Sequence, residues 1–270
     1  MAEIIASHRL RVAVCLKQVP DTANVRINPK TNTLMREGVE SILNPFDGFA
    51  LEQALRTKDA LGAEVVAVTM GPPQAEAVLR EALARGADRA VLVSSRAFGG
   101  ADTLATSYTL SRAIATACGG VPDLVLFGKQ AIDGDTAQVG PGVSEFLGVP
   151  LVTYVRGLSV AASGAYRAET QMDDGVREIE GRLPAVMTVV RESAPPRFAP
   201  LAGMRAAAAA GIEVLDERAI GADPDRIGLA GSPTKVVRIF PPPSRGGGRK
   251  VEWTGDAGPL LAAIKEALHG

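Results

Sequence analysis

The residues richest in chemistry lie in one stretch, Gly128-Lys129-Gln130-Ala131-Ile132-Asp133-Gly134-Asp135-Thr136-Ala137-Gln138-Val139, directly after the apolar run DLVLF at 123–127. Gln, Asp, Thr and Gly packed behind a strand-like run offer more hydrogen-bonding capacity than a helix cap needs, which suits a ligand as well as a turn. Two other clusters stand at similar junctions: Met70-Gly71-Pro72, and Gly99-Gly100-Ala101-Asp102-Thr103 ahead of a helical pattern. Each could aim helix amides at a phosphate. Plainer readings are available: Gly71-Pro72 is an ordinary turn with Pro near the first helical position, and Asp102-Thr103 and Asp135-Thr136 are good N-caps. Cys15 sits in an apolar run and reads as core or as a lining atom, while Lys17 just beyond it is either solvated or in reach of a phosphate.

Other chemistries are excluded by what the chain lacks. His8 and His269 are its only histidines, one near each end, so a His-based triad or a multi-His metal site cannot be assembled and no catalytic acid or base is expected. Cys15 and Cys118 are the only cysteines and are far apart, ruling out a CxxC pair. No metal site is expected. With 29 Lys and Arg against 30 Asp and Glu, the charge of −1 leaves no basic footprint for nucleic acid. No run of 18 apolar residues occurs, so direct membrane insertion is not expected and the cytoplasm is the expected location. Neither GxGxxG nor GxxxxGK[ST] is present.

These clusters must be held by regular elements. Runs at 11–16, 64–70, 89–93 and 123–127 read as buried strands, alternating with helical patterns at 46–61, after Gly71, at 102–117 and at 136–147. Asn44 or Asp47 stands near the cap of the first helix, and Gly86, Gly119 and Gly148 close later ones. Alternation of this kind predicts an α/β fold with a doubly wound, mostly parallel sheet, its ligands gathered at the strands' carboxyl ends. The shorter, more polar segments in 151–190 read as added antiparallel strands. The five-alanine run at 206–210 predicts a small surface helix. Residues 240–249 read as a linker to a short amphipathic helix at 256–269, dividing the chain into a domain at 1–239 and a C-terminal arm at 240–270.

Four stretches together, VCLKQVPDT (14–22), LNPFDGFALEQAL (43–55), VTMGPPQAEAVLREALARGAD (68–88) and LVLFGKQAIDGDTAQVGP (124–141), resemble the β subunit of electron-transfer flavoproteins over nearly the whole chain. VSSRAFGGADTLATS (93–107) and AGSPTKV (230–236) are most similar to the electron-bifurcating type. The resemblance implies a Rossmann-like fold and a heterodimer with an α subunit that carries its own FAD. It implies a second FAD in the β pocket that accepts a hydride from NADH, the electrons going to the α-subunit FAD and to a low-potential acceptor, ferredoxin or flavodoxin. The alternative is a non-bifurcating carrier that holds AMP structurally and shuttles electrons from acyl-CoA-type dehydrogenases. A rival from another class is a stand-alone adenine-nucleotide sensor or hydrolase with the same fold.

Carried over by position, the cofactor site comprises Cys15, Asn44, Pro45, Phe46, Asp47, Met70 and Gly71, with Gly100, Asp102, Thr103 and Thr106 toward the flavin and the run from Gly128 to Val139. Phe46 is expected near the α-subunit flavin, or else as an apolar staple for the helix it opens. Docking to a partner dehydrogenase is assigned to Arg197, Phe198 and Leu201 on a Pro-rich loop. The alanine run after Leu201 departs from the lysine-rich run of relatives. The C-terminal arm is expected to rest on the α subunit.

Overall fold

The computed structural model describes residues 9–21, 26–27, 34–35, 41–234, 237 and 255–269. The chain clusters into two compact units, Met1–Lys235 and Val236–Gly270. In chain order the first unit contains β1 (Arg11–Cys15), β2 (Gln18–Pro20), β3 (Arg26–Ile27), β4 (Leu34–Met35), β5 (Ser41–Leu43), α1 (Pro45–Leu61), β6 (Glu64–Met70), α2 (Glu76–Arg85), β7 (Arg89–Val93), α3 (Thr103–Cys118), β8 (Leu124–Gly128) and α4 (Val139–Leu147). It continues through β9 (Leu151–Val160), β10 (Ala165–Met172), β11 (Gly175–Arg182), β12 (Ala185–Val189), α5 (Leu201–Ala209) and β13 (Glu213–Leu215). The second unit contains α6 (Gly258–His269), with Leu260, Leu261, Ile264 and Leu268 exposed. The expected linker at 240–249 lies outside the described residues.

Nine strands form one sheet in the order β11-β10-β9-β12-β8-β1-β6-β7-β13. Val and Ala dominate β1, β6 and β7, and Leu, Val and Phe dominate β8; these strands are buried on both faces, which explains their unbroken apolar runs. One face packs Leu51, Leu55 and Leu79 of α1 and α2 on Val12, Val14, Val65 and Leu124. The other packs Tyr108, Ile114 and Val143 of α3 and α4 on Ala13, Val66, Val91 and Val125. Glycines at φ 67°, 63° and 66° end α1, α3 and α4, the left-handed geometry that costs an L side chain energy.

The connections set the site. From β1 the chain builds outward through β6 and β7, then α3 returns it to β8 on the opposite side of β1. Loops leaving β1 and β8 therefore diverge, opening a crevice at their carboxyl ends.

Two expectations are corrected and two elements are added. β12 pairs parallel with β8 and β9, so it belongs to the core sheet, and within that nine-stranded sheet only β9, β10 and β11 form antiparallel pairs. Its five residues are all buried, whereas β11 is mostly exposed. α4 begins at Val139, three residues later than its pattern indicates. The polar stretch after β1 is not a plain loop, because β2 and β5 pair antiparallel within it and Asn44 N extends the pairing by donating to Lys17 O at 2.9 Å. β13, too short to register as a periodic run, adds a parallel edge beside β7.

Close approach of α3 and α4 rests on Gly142. A Cβ there would stand 2.7 Å from Ser107 Cβ, nearer than van der Waals contact allows. Gly142→Ala is expected to lower stability by about 1–3 kcal/mol through overpacking, read as a lower urea midpoint at unchanged slope; an unchanged midpoint would contradict this packing.

Candidate functional site

At the crevice, the first turn of α1 closes over the ends of β1 and β8. Pro45 starts this helix, and Asn44 and Asp47 are buried beneath it. Asp47 Oδ2 accepts from Lys17 N at 2.7 Å and Oδ1 from Gly128 N at 3.1 Å, so one carboxylate joins the two diverging strand ends. Asn44 does not cap α1 with its side chain. Its Nδ2 donates to Gln130 O at 2.9 Å and its Oδ1 accepts from Ile132 N at 3.3 Å, fixing the loop after β8. Gly128 is required at this approach, since a Cβ would lie 2.6 Å from the Phe46 carbonyl carbon and 2.7 Å from Asp47 N.

Burial pushes the Asp47 carboxyl up to about 7, although the Asn44 side chain, the Lys17 and Gly128 amides and the Lys17 charge all pull it down. Cys15, buried beside it, has its thiol raised first by burial and then by the Asp47 charge. A protonated thiol on the α3/α4 face of the sheet is a wall atom, not a nucleophile.

The loop from Gly128 to Gln138 holds its own charges. Lys17 Nζ reaches Asp133 at 2.7 and 2.9 Å, so this lysine is in an ion pair. Gln130 Nε2 donates to Asp135, which places the Asp135 side chain away from any capping role. Asp135 and Ala137 take left-handed backbone angles, φ 53° and 54°, and Gln138 follows at φ −101°, ψ −24°. Alternation of left- and right-handed residues turns successive amides to one side and makes an anion-binding concavity. Gly134, Asp135 and Thr136 are exposed, while Ala131 and Ile132 are half-buried.

The two helix N-termini facing the crevice differ. Asp102 caps α3, accepting from Leu104 N at 2.9 Å and Ala105 N at 3.1 Å. Gln138, at the corresponding position of α4, makes no capping bond, and its Oε1 instead accepts from Thr103 Oγ1 at 2.9 Å. The first-turn amides of α4 thus combine with the Ala137–Gln138 concavity to make the better phosphate seat. Expecting Asp135-Thr136 to cap this helix is corrected, while the cap expected of Asp102 is observed. Met70 and Gly71 end β6 on the same side of the sheet, with Gly71 N donating to Val93 O at 3.1 Å. Thr106 is half-buried in the first turn of α3, its amide bonded to Asp102 O.

Beside the crevice lies a cleft of about 700 Å³ lined by Phe46, Lys129, Tyr154, Met172 and Arg191. Phe46 is inside α1 and faces this cleft, which does not suit a staple preceding the helix. Tyr154, which sequence reasoning missed, takes φ 57° where the β9–β12 register slips, and Lys129 Nζ lies 5.3 Å from its ring. No sequence signal marks it, because a bulge depends on the partner strand.

The residues expected to dock a partner separate. Arg197 turns inward: Glu52, 5% exposed, accepts from its amide and guanidinium at 2.9–3.1 Å, and Asp59 takes a further bond at 2.7 Å. Phe198 is 96% exposed, and Leu201, the first residue of α5 and not a loop residue, is 66% exposed with Met204 at 52%. Arg197 anchors the segment, leaving Phe198, Leu201 and Met204 outward.

Two measurements follow from Asp47. Its carboxyl ¹³C resonance should titrate near pH 7; a midpoint near 4 would contradict its burial. Because the folded state holds this proton above the unfolded value, the Asp47 contribution to stability is greatest below about pH 4, falls between about 4 and 7, and then levels. Gly128→Ala should destabilise the fold by about 2 kcal/mol or more, since helix backbone cannot give way as a side chain can.

Among the described residues no helix is long and apolar enough to cross a membrane, and no group of three or more His, Cys, Asp or Glu could hold a metal. Residues 31–219 match the family model described as electron transfer flavoprotein domain. The chain is 49% identical over 261 residues, 95% of its length and 98% of the relative's, to the caffeyl-CoA reductase-Etf complex subunit CarD of Acetobacterium woodii. It is 47% identical to the electron transfer flavoprotein subunit beta of Megasphaera elsdenii, covering 88% of this chain and 90% of that one. It is 50% identical to protein FixA of Azotobacter vinelandii over 86% of this chain and 84% of the relative. With a matched domain spanning most of the crevice-forming elements and relatives aligned nearly end to end, the chain belongs to the electron transfer flavoprotein family, as a β-type subunit.

Proposed function

We propose that this subunit holds FAD in the crevice between β1 and β8 and works in a heterodimer with an α subunit bearing a second FAD. The pair takes electrons from NADH and divides them between the α-subunit FAD and a low-potential acceptor, ferredoxin or flavodoxin. The observation that carries the nucleotide site is the contrast between helix ends: α3 is closed by its own Asp102, while α4 offers its first turn and the Ala137–Gln138 concavity to an anion.

The residues present fit a phosphorylated nucleotide. Amides of α4 and the preceding turn would hold phosphate, while Met70, Gly71 and the buried Cys15 give the crevice an apolar wall. A bound flavin supplies the redox chemistry, and the protein positions it and tunes its surroundings. Asn44 and Asp47 keep the first half of the loop after β8 in one shape by holding Gly128, Gln130 and Ile132, and the Lys17–Asp133 pair ties its middle to the segment just after β1. No side chain in this arrangement needs to exchange a proton with a substrate. A second reading, AMP held structurally, is favoured by the same asymmetry, because one open helix end is enough for a single phosphate.

The exposed Phe198, Leu201 and Met204 are the proposed contact for a dehydrogenase partner. Partnership with a reductase, as the name of the Acetobacterium relative states for that protein, fits this surface. The arm at 240–270 is proposed to rest on the α subunit.

The deciding experiment is to co-purify this chain with its α subunit, denature the complex and quantify released nucleotide. Two FAD and no AMP per heterodimer is expected; one FAD and one AMP would establish the second reading, and a single FAD alone would overturn a β-site nucleotide. Leu201→Ala with Phe198→Ala should slow electron exchange with the cognate dehydrogenase at least tenfold with the nucleotide content unchanged, as for paired apolar anchors; unaltered exchange would remove the docking assignment. A chain ending at residue 239 should co-elute less with the α subunit, and undiminished co-elution would reject the arm's role.

A further inference from the structure

The segment from Gly228 to Thr234 is bound to the turn before α3 by contacts that nothing above employs. Asp102 divides its carboxylate between two tasks. Oδ1 caps α3, and Oδ2 accepts from Thr234 Oγ1 at 2.8 Å and Thr234 N at 3.1 Å. The Asp102 amide donates to Ser232 Oγ at 2.8 Å, and that hydroxyl donates to Gly228 O at 2.7 Å. Leu229 covers Gly100, lying 3.4 Å from where a Cβ would stand at a residue with φ 75°. One residue beyond Asp102, Thr103 bonds to Gln138, the N-cap of the helix with the open first turn. Asp102 and Thr103, adjacent in the chain, therefore connect Thr234 to the N-cap of α4 through one hydrogen-bonded link on each side.

We propose that Asp102, Ser232 and Thr234 form a clasp that positions Thr103 and Gly100 as the far wall of the nucleotide pocket and so favours a dinucleotide over a mononucleotide. The inference rests on the reading that this crevice binds an adenine nucleotide. A monophosphate needs only α4 and the loop from Gly128 to Gln138, which the clasp reaches only through Thr103. A ligand continuing past its first phosphate has to extend from α4 toward its neighbour, and the Thr103–Gln138 bond makes α3 that neighbour. There the amides of Leu104 and Ala105 are already occupied by Asp102. What remains for the far half is a glycine turn and the Thr103 hydroxyl oxygen, which donates its proton to Gln138 and can still accept, held in place by residues about 130 positions along the chain. Asp102 is thus a positioning residue, and the direct ligand role expected of it from the sequence passes to Thr103.

Isothermal titration of the full chain with FAD and, separately, with AMP tests this. Thr234→Val removes the hydroxyl donor while keeping the shape and leaving the α3 cap intact. FAD should bind about tenfold more weakly, the loss of one hydrogen bond to a charged acceptor, while AMP affinity stays within about twofold by the same scale. Thr234→Ser should restore FAD binding, and Ser232→Ala should repeat the FAD-selective loss by an independent break. Equal losses for FAD and AMP, or unchanged FAD binding in both breaking variants, would overturn the clasp. A wild-type chain that binds AMP and not FAD would overturn it while leaving the nucleotide site standing. Binding of neither ligand would remove both.

Discussion

The buried carboxylate of Asp47 holds the site together. Where the loops leaving β1 and β8 part, the amides of Lys17 and Gly128 find their acceptors in its two oxygens. Other features follow from this junction. The helix must begin beside both strand ends, which the β2–β5 pairing and the Asn44–Lys17 backbone bond ensure. Residue 128 must lack a side chain, because the first turn of α1 occupies its space. Water has to be excluded for the bridge to be strong, and that same exclusion raises the carboxyl's affinity for a proton.

From this junction α1 extends as a rigid link to a different surface. Its first turn shapes the loop after β8, and Glu52, little more than a turn further on, binds the Arg197 segment that carries Phe198 and Leu201 outward. Glu52 is buried, and although burial raises its carboxyl, the Arg197 hydrogen bonds and charge outweigh this and hold it below the ordinary value. Breaking such a pair costs far more than breaking an exposed one, since it leaves a charge without compensation. The proposed nucleotide site and the proposed docking surface therefore share one helix, which sets their separation without any contact between them.

The parallel core was legible because β1, β6, β7 and β8 are apolar without interruption, a pattern that two covered faces impose. The capping of α3 was legible because Asp102 acts on amides within three residues of itself. Features fixed by distant partners were not. Asn44 and Asp47 looked like capping residues, yet Asn44 spends its side chain on the loop after β8 and Asp47 on the two strand ends. Asp135-Thr136 has the composition of a cap, but Gln130 engages Asp135 and the helix starts later. Arg197 looked like a surface anchor because nothing local reveals Glu52 beneath it. The composition of Gly128 to Val139 drew attention to this loop, while its left-handed backbone at Asp135 and Ala137 became evident only in three dimensions.

The central claim is that an adenine nucleotide places its phosphate on the first turn of α4, in the crevice that Asp47 closes. Amide resonances of the full chain, followed while FAD or AMP is added, test this most directly. The account requires the largest shifts at Ala137, Gln138, Val139 and Gly140, with smaller ones at Lys17 and Gly128. Shifts confined to the capped end of α3, at Leu104 and Ala105, or to the surface around Phe198 and Leu201, would contradict it.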